Sequence, residues 1–144
     1  MRISTKGRYA LRMLVDLAQH REEGFVALKD VAERQNISKK YLEQIIPMLN
    51  KGNVLRTERG AQGGYRLART PDMYTIREIL ELTEGSLSPV SCVDEGALPC
   101  ARSADCPTLP IWQGLAKVVR EYLDSITLQD ILDHMGEAGN DYVI

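Results

Sequence analysis

Three cysteines, Cys92, Cys100 and Cys106, lie in one short stretch with the spacing C-x7-C-x5-C. Thiolates are the usual ligands of iron-sulfur clusters, and an irregular loop can fold three of them around one centre. An odd count argues against a framework of paired disulfides and leaves metal ligation, redox sensing or idle thiols. Zinc, a cluster-free thiol switch and inert cysteines are therefore alternatives to a cluster on these residues alone.

A second constellation carries polar chemistry of another kind. Ser38, Lys39 and Lys40 precede Tyr41, Glu43 and Gln44, and a later arginine-rich, glycine-rich stretch holds Arg56, Arg59, Gly60, Gln62, Gly63, Gly64, Tyr65 and Arg66. Cations and backbone donors at a helix start suit phosphate oxygens, while Gln pairs with adenine and Glu accepts from cytosine N4. Glycines at a hairpin tip permit positive φ and close backbone approach, with the arginines supplying charge around them. The charge distribution agrees. Residues 1–70 hold 14 Lys and Arg against 7 Asp and Glu, whereas residues 71–144 hold 4 against 13, under a net charge of -2. A basic half joined to an acidic half points to a polyanion as partner of the first half. Solvated arginines on an ordinary tight hairpin are the competing explanation.

Catalytic chemistry finds little support. The two histidines, His20 and His134, stand far apart with no nucleophile beside either. The glycine stretch has no following Lys-Ser/Thr pair, so it is a poor nucleotide-phosphate loop, and Pro99-Cys100 lacks the second cysteine and the H-x-E of a zinc deaminase. The chain is expected not to be an enzyme; a protein-interaction module without DNA affinity is the rival to a DNA reader.

The elements that position these residues follow from periodicity. Ala10, Met13, Leu14, Leu17 and Ala18 form a helical stripe over residues 5–20, and Leu28, Val31 and Ala32 mark a short second helix ending near Asn36. Ser38 caps a third helix, in which Leu42, Ile45, Ile46 and Leu49 face inward and Pro47 should loosen the last turn. Two strands, 54–57 and 65–68, make a hairpin through residues 58–64. Thr75 and Glu78 form a capping box that opens a helix ended by Gly85. Residues 85–110 lack periodicity and hold all three cysteines. After them Trp112, Leu115, Val119, Tyr122 and Ile126, broadened by Ile111, Val118 and Leu123, trace an apolar stripe too wide for a lone surface helix. Thr127 to Asp130 begins one more helix.

The expected fold is mainly α with a small β-hairpin: a winged helix-turn-helix plus a long C-terminal dimerisation helix. Its divisions are a DNA-binding domain over 1–70, a connecting helix over 71–84 and a cysteine-containing sensor loop over 85–107. A dimerisation helix with a following short helix takes 108–136, and a flexible tail takes 137–144. With no apolar stretch of membrane-spanning length and no apolar region behind the basic start, a cytoplasmic location with no membrane association is expected.

Residues 1–9, the segment Ser38-Lys39-Lys40-Tyr41-Leu42-Glu43-Gln44 and the segment Arg59-Gly60-Ala61-Gln62-Gly63-Gly64-Tyr65 resemble the IscR/CymR/NsrR family of bacterial regulators, over nearly the whole chain. The resemblance implies a winged-helix homodimer crossed through the long helix, binding a double-stranded DNA operator. By that similarity Tyr41, Glu43 and Gln44 read bases and the wing around Arg59 enters the minor groove; the expected DNA-binding set also holds Ser38, Lys39 and Lys40, whose place at the helix start suits phosphate, and Arg56, Gly60, Gln62 and Tyr65 of the hairpin. It also implies that Cys92, Cys100 and Cys106 hold an iron-sulfur cluster, [2Fe-2S] or [4Fe-4S], that modulates DNA binding. The first cysteine gap is longer than in IscR-like members, and Leu109 and Arg8 stand where IscR-like and NsrR-like members carry a ligating histidine and aspartate. A fourth ligand then falls to Asp94, Glu95, Asp105, a small molecule or the other subunit. CymR-like members instead sense cysteine status through an enzyme of cysteine synthesis, and Asp141-Tyr142-Val143-Ile144 is similar to the isoleucine-ended peptides that bind that enzyme.

Overall fold

The computed structural model describes residues 1–141. Six helices and one hairpin follow in the order α1 (Thr5–Gln19), α2 (Leu28–Gln35), α3 (Lys39–Asn50), β1 (Leu55–Glu58), β2 (Gly64–Leu67), α4 (Ile76–Glu84), α5 (Leu109–Asp124) and α6 (Leu128–Asp141). Single 3-10 turns occur at Arg21–Glu23, Pro71–Met73 and Ser91–Val93. The mainly helical fold with a small hairpin matches the expected class.

Three helix starts, those of α3, α4 and α6, carry a local side-chain cap. Ser38 Oγ accepts the Tyr41 N–H at 3.1 Å and Thr75 Oγ1 accepts the Glu78 N–H at 3.1 Å, satisfying donors that the first helical turn leaves free. Only half of the expected Thr75 capping box forms, because the Glu78 carboxylate turns to the Arg69 guanidinium at 2.7 Å. A reciprocal box closes instead at α6, where Thr127 and Asp130 exchange bonds of 2.9 and 3.1 Å. The N-terminus of α1 borrows a distant cap. Glu84 Oε1, from the end of α4, accepts from Ser4 N–H, Ser4 Oγ and Gly7 N–H at 3.1, 2.6 and 3.1 Å. A carboxylate there also opposes the positive end of the helix dipole.

The apolar stripes of α1 to α4 meet in one core around Met13, Leu14, Leu17, Val31, Leu42, Ile45, Leu49, Val54 and Ile79, joined by Leu128 from α6. α3 continues through Pro47 to Asn50, so the loosening expected at the proline is not seen. The ring is exposed, and buried Ile46 and Leu49 on either side hold the turn against the core. The strands lie within one residue of their expected places. They pair antiparallel in the register Leu55 with Leu67, Arg56 with Arg66, Thr57 with Tyr65 and Glu58 with Gly64.

Two further expectations are corrected. The stripe of α5 is two faces rather than one: Val119, Leu123 and buried Ala116 pack inward, whereas Ile111, Leu115, Val118 and Tyr122 point outward and are 59, 40, 62 and 63 % exposed. α6 runs to Asp141, past the expected start of a flexible tail at 137, and the last three residues of the C-terminal tetrapeptide lie outside the described residues. Among the described residues no helix is long and apolar enough to cross a membrane.

Candidate nucleic-acid interface and cysteine loop

α2 ends at Asn36, whose left-handed backbone (φ 53°, ψ 48°) turns the chain sharply before Ser38 starts α3. Burial of Leu42, Ile45, Ile46 and Leu49 forces Lys39, Lys40, Glu43 and Gln44 outward, and all four are exposed, as is Ser38. Tyr41 is half buried. Its ring meets Tyr9 of α1 edge-on, with centroids 5.4 Å apart and planes at 77°, and Arg12 lies 5.2 Å from the Tyr9 centroid. Tyr41 therefore fixes α3 against α1, which the spacing of the sequence did not reveal.

The wing explains its own motif. Gly60 has φ +111°, a conformation that side-chain-bearing residues resist. A Cβ on Gly63 would lie 2.2 Å from the Glu58 carbonyl oxygen, and one on Gly64 would lie 2.1 Å from that of Val26. The latter approach exists because Val26 and Tyr65 exchange two backbone bonds of 2.8 Å, adding a short third rung to the hairpin. Positive φ is thus needed once, and close approach twice. Arg59, Gly60 and Gln62 are exposed at the tip, and half-buried Tyr65 joins Ile46, Asn50, Thr57, Glu58, Arg59 and Gly60 in lining a groove between α3 and the wing. Arg56 is exposed on the outer face directly opposite Arg66, whose guanidinium lies 5.5 Å from the Phe25 centroid. Like charges directly opposite across a hairpin are unfavourable, and a neighbouring anion relieves them.

Tyr74 is a structural residue that sequence reasoning passed over. It is fully buried, its hydroxyl donates to the Val54 carbonyl at 2.7 Å and accepts the Arg69 N–H at 2.9 Å, and Arg69 stacks 4.2 Å from its centroid. Its carbonyl accepts the Leu128 N–H at 3.1 Å, so one residue joins the base of the wing to the start of α6. An aromatic residue inside a polar turn was the available signal.

The three cysteines sit on the irregular segment between α4 and α5. Cys92 and Cys100 are exposed and Cys106 is partly so. Cys106 Sγ lies 3.6 Å from Thr108 Oγ1, and this hydrogen bond lowers the thiol's pKa. Of the neighbouring acids, Asp94 accepts from Ser86 Oγ, and Glu95 accepts from Arg77 at 2.9 Å and lies 3.9 Å from Arg120. Arg77 also grips Glu81 and Asp124, each at 2.9 Å. These bonds, Glu81 first, raise the pKa of its guanidinium. As one of four cations in the acidic half, Arg77 was legible as an oddity but not as the staple that holds the loop to α4 and α5. Thiols are the right donors for a cluster, yet among the described residues no three metal-ligating side chains converge. As arranged here, the cysteines form no ready-made centre.

An outward-facing helix after a sharp turn, flanked by a glycine-tipped, arginine-bearing hairpin, defines a winged-helix DNA-binding regulator. The family description "Rrf2: Iron-dependent Transcriptional regulator" matches residues 3–134. Protein rrf2 of Nitratidesulfovibrio vulgaris is 39% identical over 132 residues, covering 92% of this chain and 87% of that protein. The solved structure of CymR (YrzC), the global cysteine regulator of B. subtilis, is 38% identical with a TM-score of 0.75, covering 93% of this chain and 98% of that one. That of T. potens IscR is 41% identical with a TM-score of 0.76, covering 96% and 90%. The chain belongs to the Rrf2 family of transcriptional regulators. Its relatives are named regulators rather than enzymes, as expected, and proteins named IscR and CymR are both among them at comparable similarity.

Proposed function

We propose that this regulator reads a double-stranded operator as a homodimer, with α3 in the major groove and the wing in the flanking minor groove. The observation that carries this reading is joint exposure: Lys39, Lys40, Glu43 and Gln44 of α3 are all exposed, as are Arg59 and Gly60 of the wing, which line a groove against Ile46 and Asn50 of the same helix. Lys39 and Lys40 meet phosphates, Glu43 and Gln44 meet base edges, and Arg59 follows the narrow groove. The exposed face of α5, from Ile111 to Tyr122, is the surface on which a second copy sits, and two-fold symmetry then requires a near-palindromic operator. Binding selection on randomised duplexes tests it. Recovery of a two-fold motif is expected; a pool with no motif refutes the reading.

The segment carrying Cys92, Cys100 and Cys106 is the sensing element, lying in sequence between the reading head and the α5 face. Three thiols on one loop, together with the iron dependence in the family's description, support an iron-sulfur cluster, which requires the loop to gather. The accessible thiols and the CymR likeness support a second reading, a cluster-free switch of thiol oxidation or a partner enzyme. Anaerobic reconstitution followed by iron and sulfide assay separates them. A coloured protein with both elements supports the cluster, and a colourless protein without bound sulfide supports the thiol reading.

A further inference from the structure

Asp16 in the middle of α1 is the one buried charged side chain among the described residues, 1 % exposed. Arg34 grips it with two bonds, Nε to Oδ2 at 3.0 Å and a terminal nitrogen to Oδ1 at 2.7 Å, and Gln35 Nε2 adds a third to Oδ2 at 3.0 Å. Both partners belong to the last turn of α2, and only Asn36, Ile37 and Ser38 separate Gln35 from α3. Gln35 is held a second time from α1, since Arg12 donates to its Oε1 at 3.3 Å and to its backbone carbonyl. Arg12 in turn lies over Tyr9, and Tyr9 meets Tyr41 of α3. His20 Nδ1 lies 2.8 Å from the Asp16 backbone carbonyl and 3.7 Å from its Oδ1.

Stability alone does not account for this cluster. Only the carboxylate is buried, the Arg34 side chain being 36 % exposed, and an ion pair that takes a carboxylate out of water roughly breaks even against well-packed apolar residues, because desolvation offsets the Coulomb gain. What an apolar pair cannot supply is direction. A guanidinium fork on a carboxylate admits one arrangement, whereas leucines tolerate sliding. We infer that Asp16 is a positioning residue for DNA recognition: by clamping Arg34 and Gln35 it sets where the turn ends and at what angle α3 presents Glu43 and Gln44. The inference rests on α3 being the reading helix, and the wild-type operator preference tests that premise separately.

The test uses the full chain, the operator recovered by selection and a scrambled duplex of equal length, with affinities at matched salt and thermal unfolding in parallel. Asp16→Asn removes a negative charge, so electrostatics alone strengthens binding to both duplexes. Loss of positioning instead weakens operator binding by about tenfold or more, comparable to losing one base contact, while the scrambled duplex changes by less than about threefold. Gln35→Leu, at a partly exposed position that leaves the Arg34 fork intact, shows the same selective loss to a smaller degree. It decides the matter if Asp16→Asn does not fold. A folded variant whose operator and scrambled affinities move together, or whose preference equals wild type, overturns the clamp. Loss of preference in the wild type itself overturns the premise instead.

Discussion

In the proposed reading Glu43 and Arg59 meet the same ligand by different chemistry, and their variants separate the two. Glu43→Ala should change which base is preferred at one operator position by about 1–3 kcal/mol while leaving the salt dependence alone. Arg59→Ala should weaken binding to every sequence and reduce the slope of log affinity against log salt by about one. Parallel titrations on operator and scrambled duplexes check both, and an unchanged base preference in Glu43→Ala removes that residue from the reading set. Gly64 acts through packing. A methyl group there runs into the Val26 carbonyl, so Gly64→Ala should lose the Val26–Tyr65 rung and cost about 1–3 kcal/mol of stability, measurable by denaturant titration. Gly60→Ala meets no neighbour and suffers only from its backbone angle, so its cost should be smaller.

At the level of elements, α5 carries two apolar faces and the fold covers one of them. Its inner face closes the fold against α4, while its outer face places Ile111, Leu115, Val118 and Tyr122 in water, an arrangement that a soluble chain seldom leaves uncovered. Leu115→Asp with Tyr122→Asp should give a folded monomer by sedimentation, whereas Val119→Asp should destabilise the fold itself. A dimer that survives the first pair excludes this face as the interface. Tyr74 joins two elements through one hydroxyl. Tyr74→Phe leaves the Arg69 N–H without its acceptor and takes from the Val54 carbonyl one of its two donors, the Ala68 N–H remaining, and should cost about 1–3 kcal/mol. Calorimetry of the variant measures that loss.

Across the whole molecule, the cysteine loop is stapled by Arg77 to α4 and α5, and α4 returns Glu84 to cap α1. A change of state at the loop therefore has a packed route to the reading head, provided it favours one arrangement over another. A coupling of about 1–3 kcal/mol would alter operator affinity roughly 5- to 150-fold. Each single Cys→Ser variant, prepared without oxygen, should lose the response of operator affinity to iron or oxidant while keeping its helical circular dichroism. Equal operator affinity in the loaded or oxidised and the reduced, metal-free states would leave the loop with no part in sensing.

Local signals in the chain were enough for the order of elements. The periodic stripes, the Ser38 cap and the glycine-marked hairpin are short-range patterns, and the structure places each element within a few residues of them. The outward Lys39, Lys40, Glu43 and Gln44 were legible for the same reason, since burying Leu42, Ile45, Ile46 and Leu49 leaves them no other side. Long-range choices were not legible. Periodicity marks α5 as broadly apolar but cannot say that Val119 turns inward and Val118 outward, because both are valines one step apart. Glu78 follows Thr75 at capping-box spacing, yet Arg69 competes for its carboxylate. Glu84 caps a helix that begins 79 residues earlier, and Asp16 finds Arg34 only when α1 and α2 pack. Spacing alone also groups three cysteines that, among the described residues, form no three-ligand cluster. Burial drives residues into layers by type, but the partner of each polar group is settled by geometry that exists only after those layers have closed.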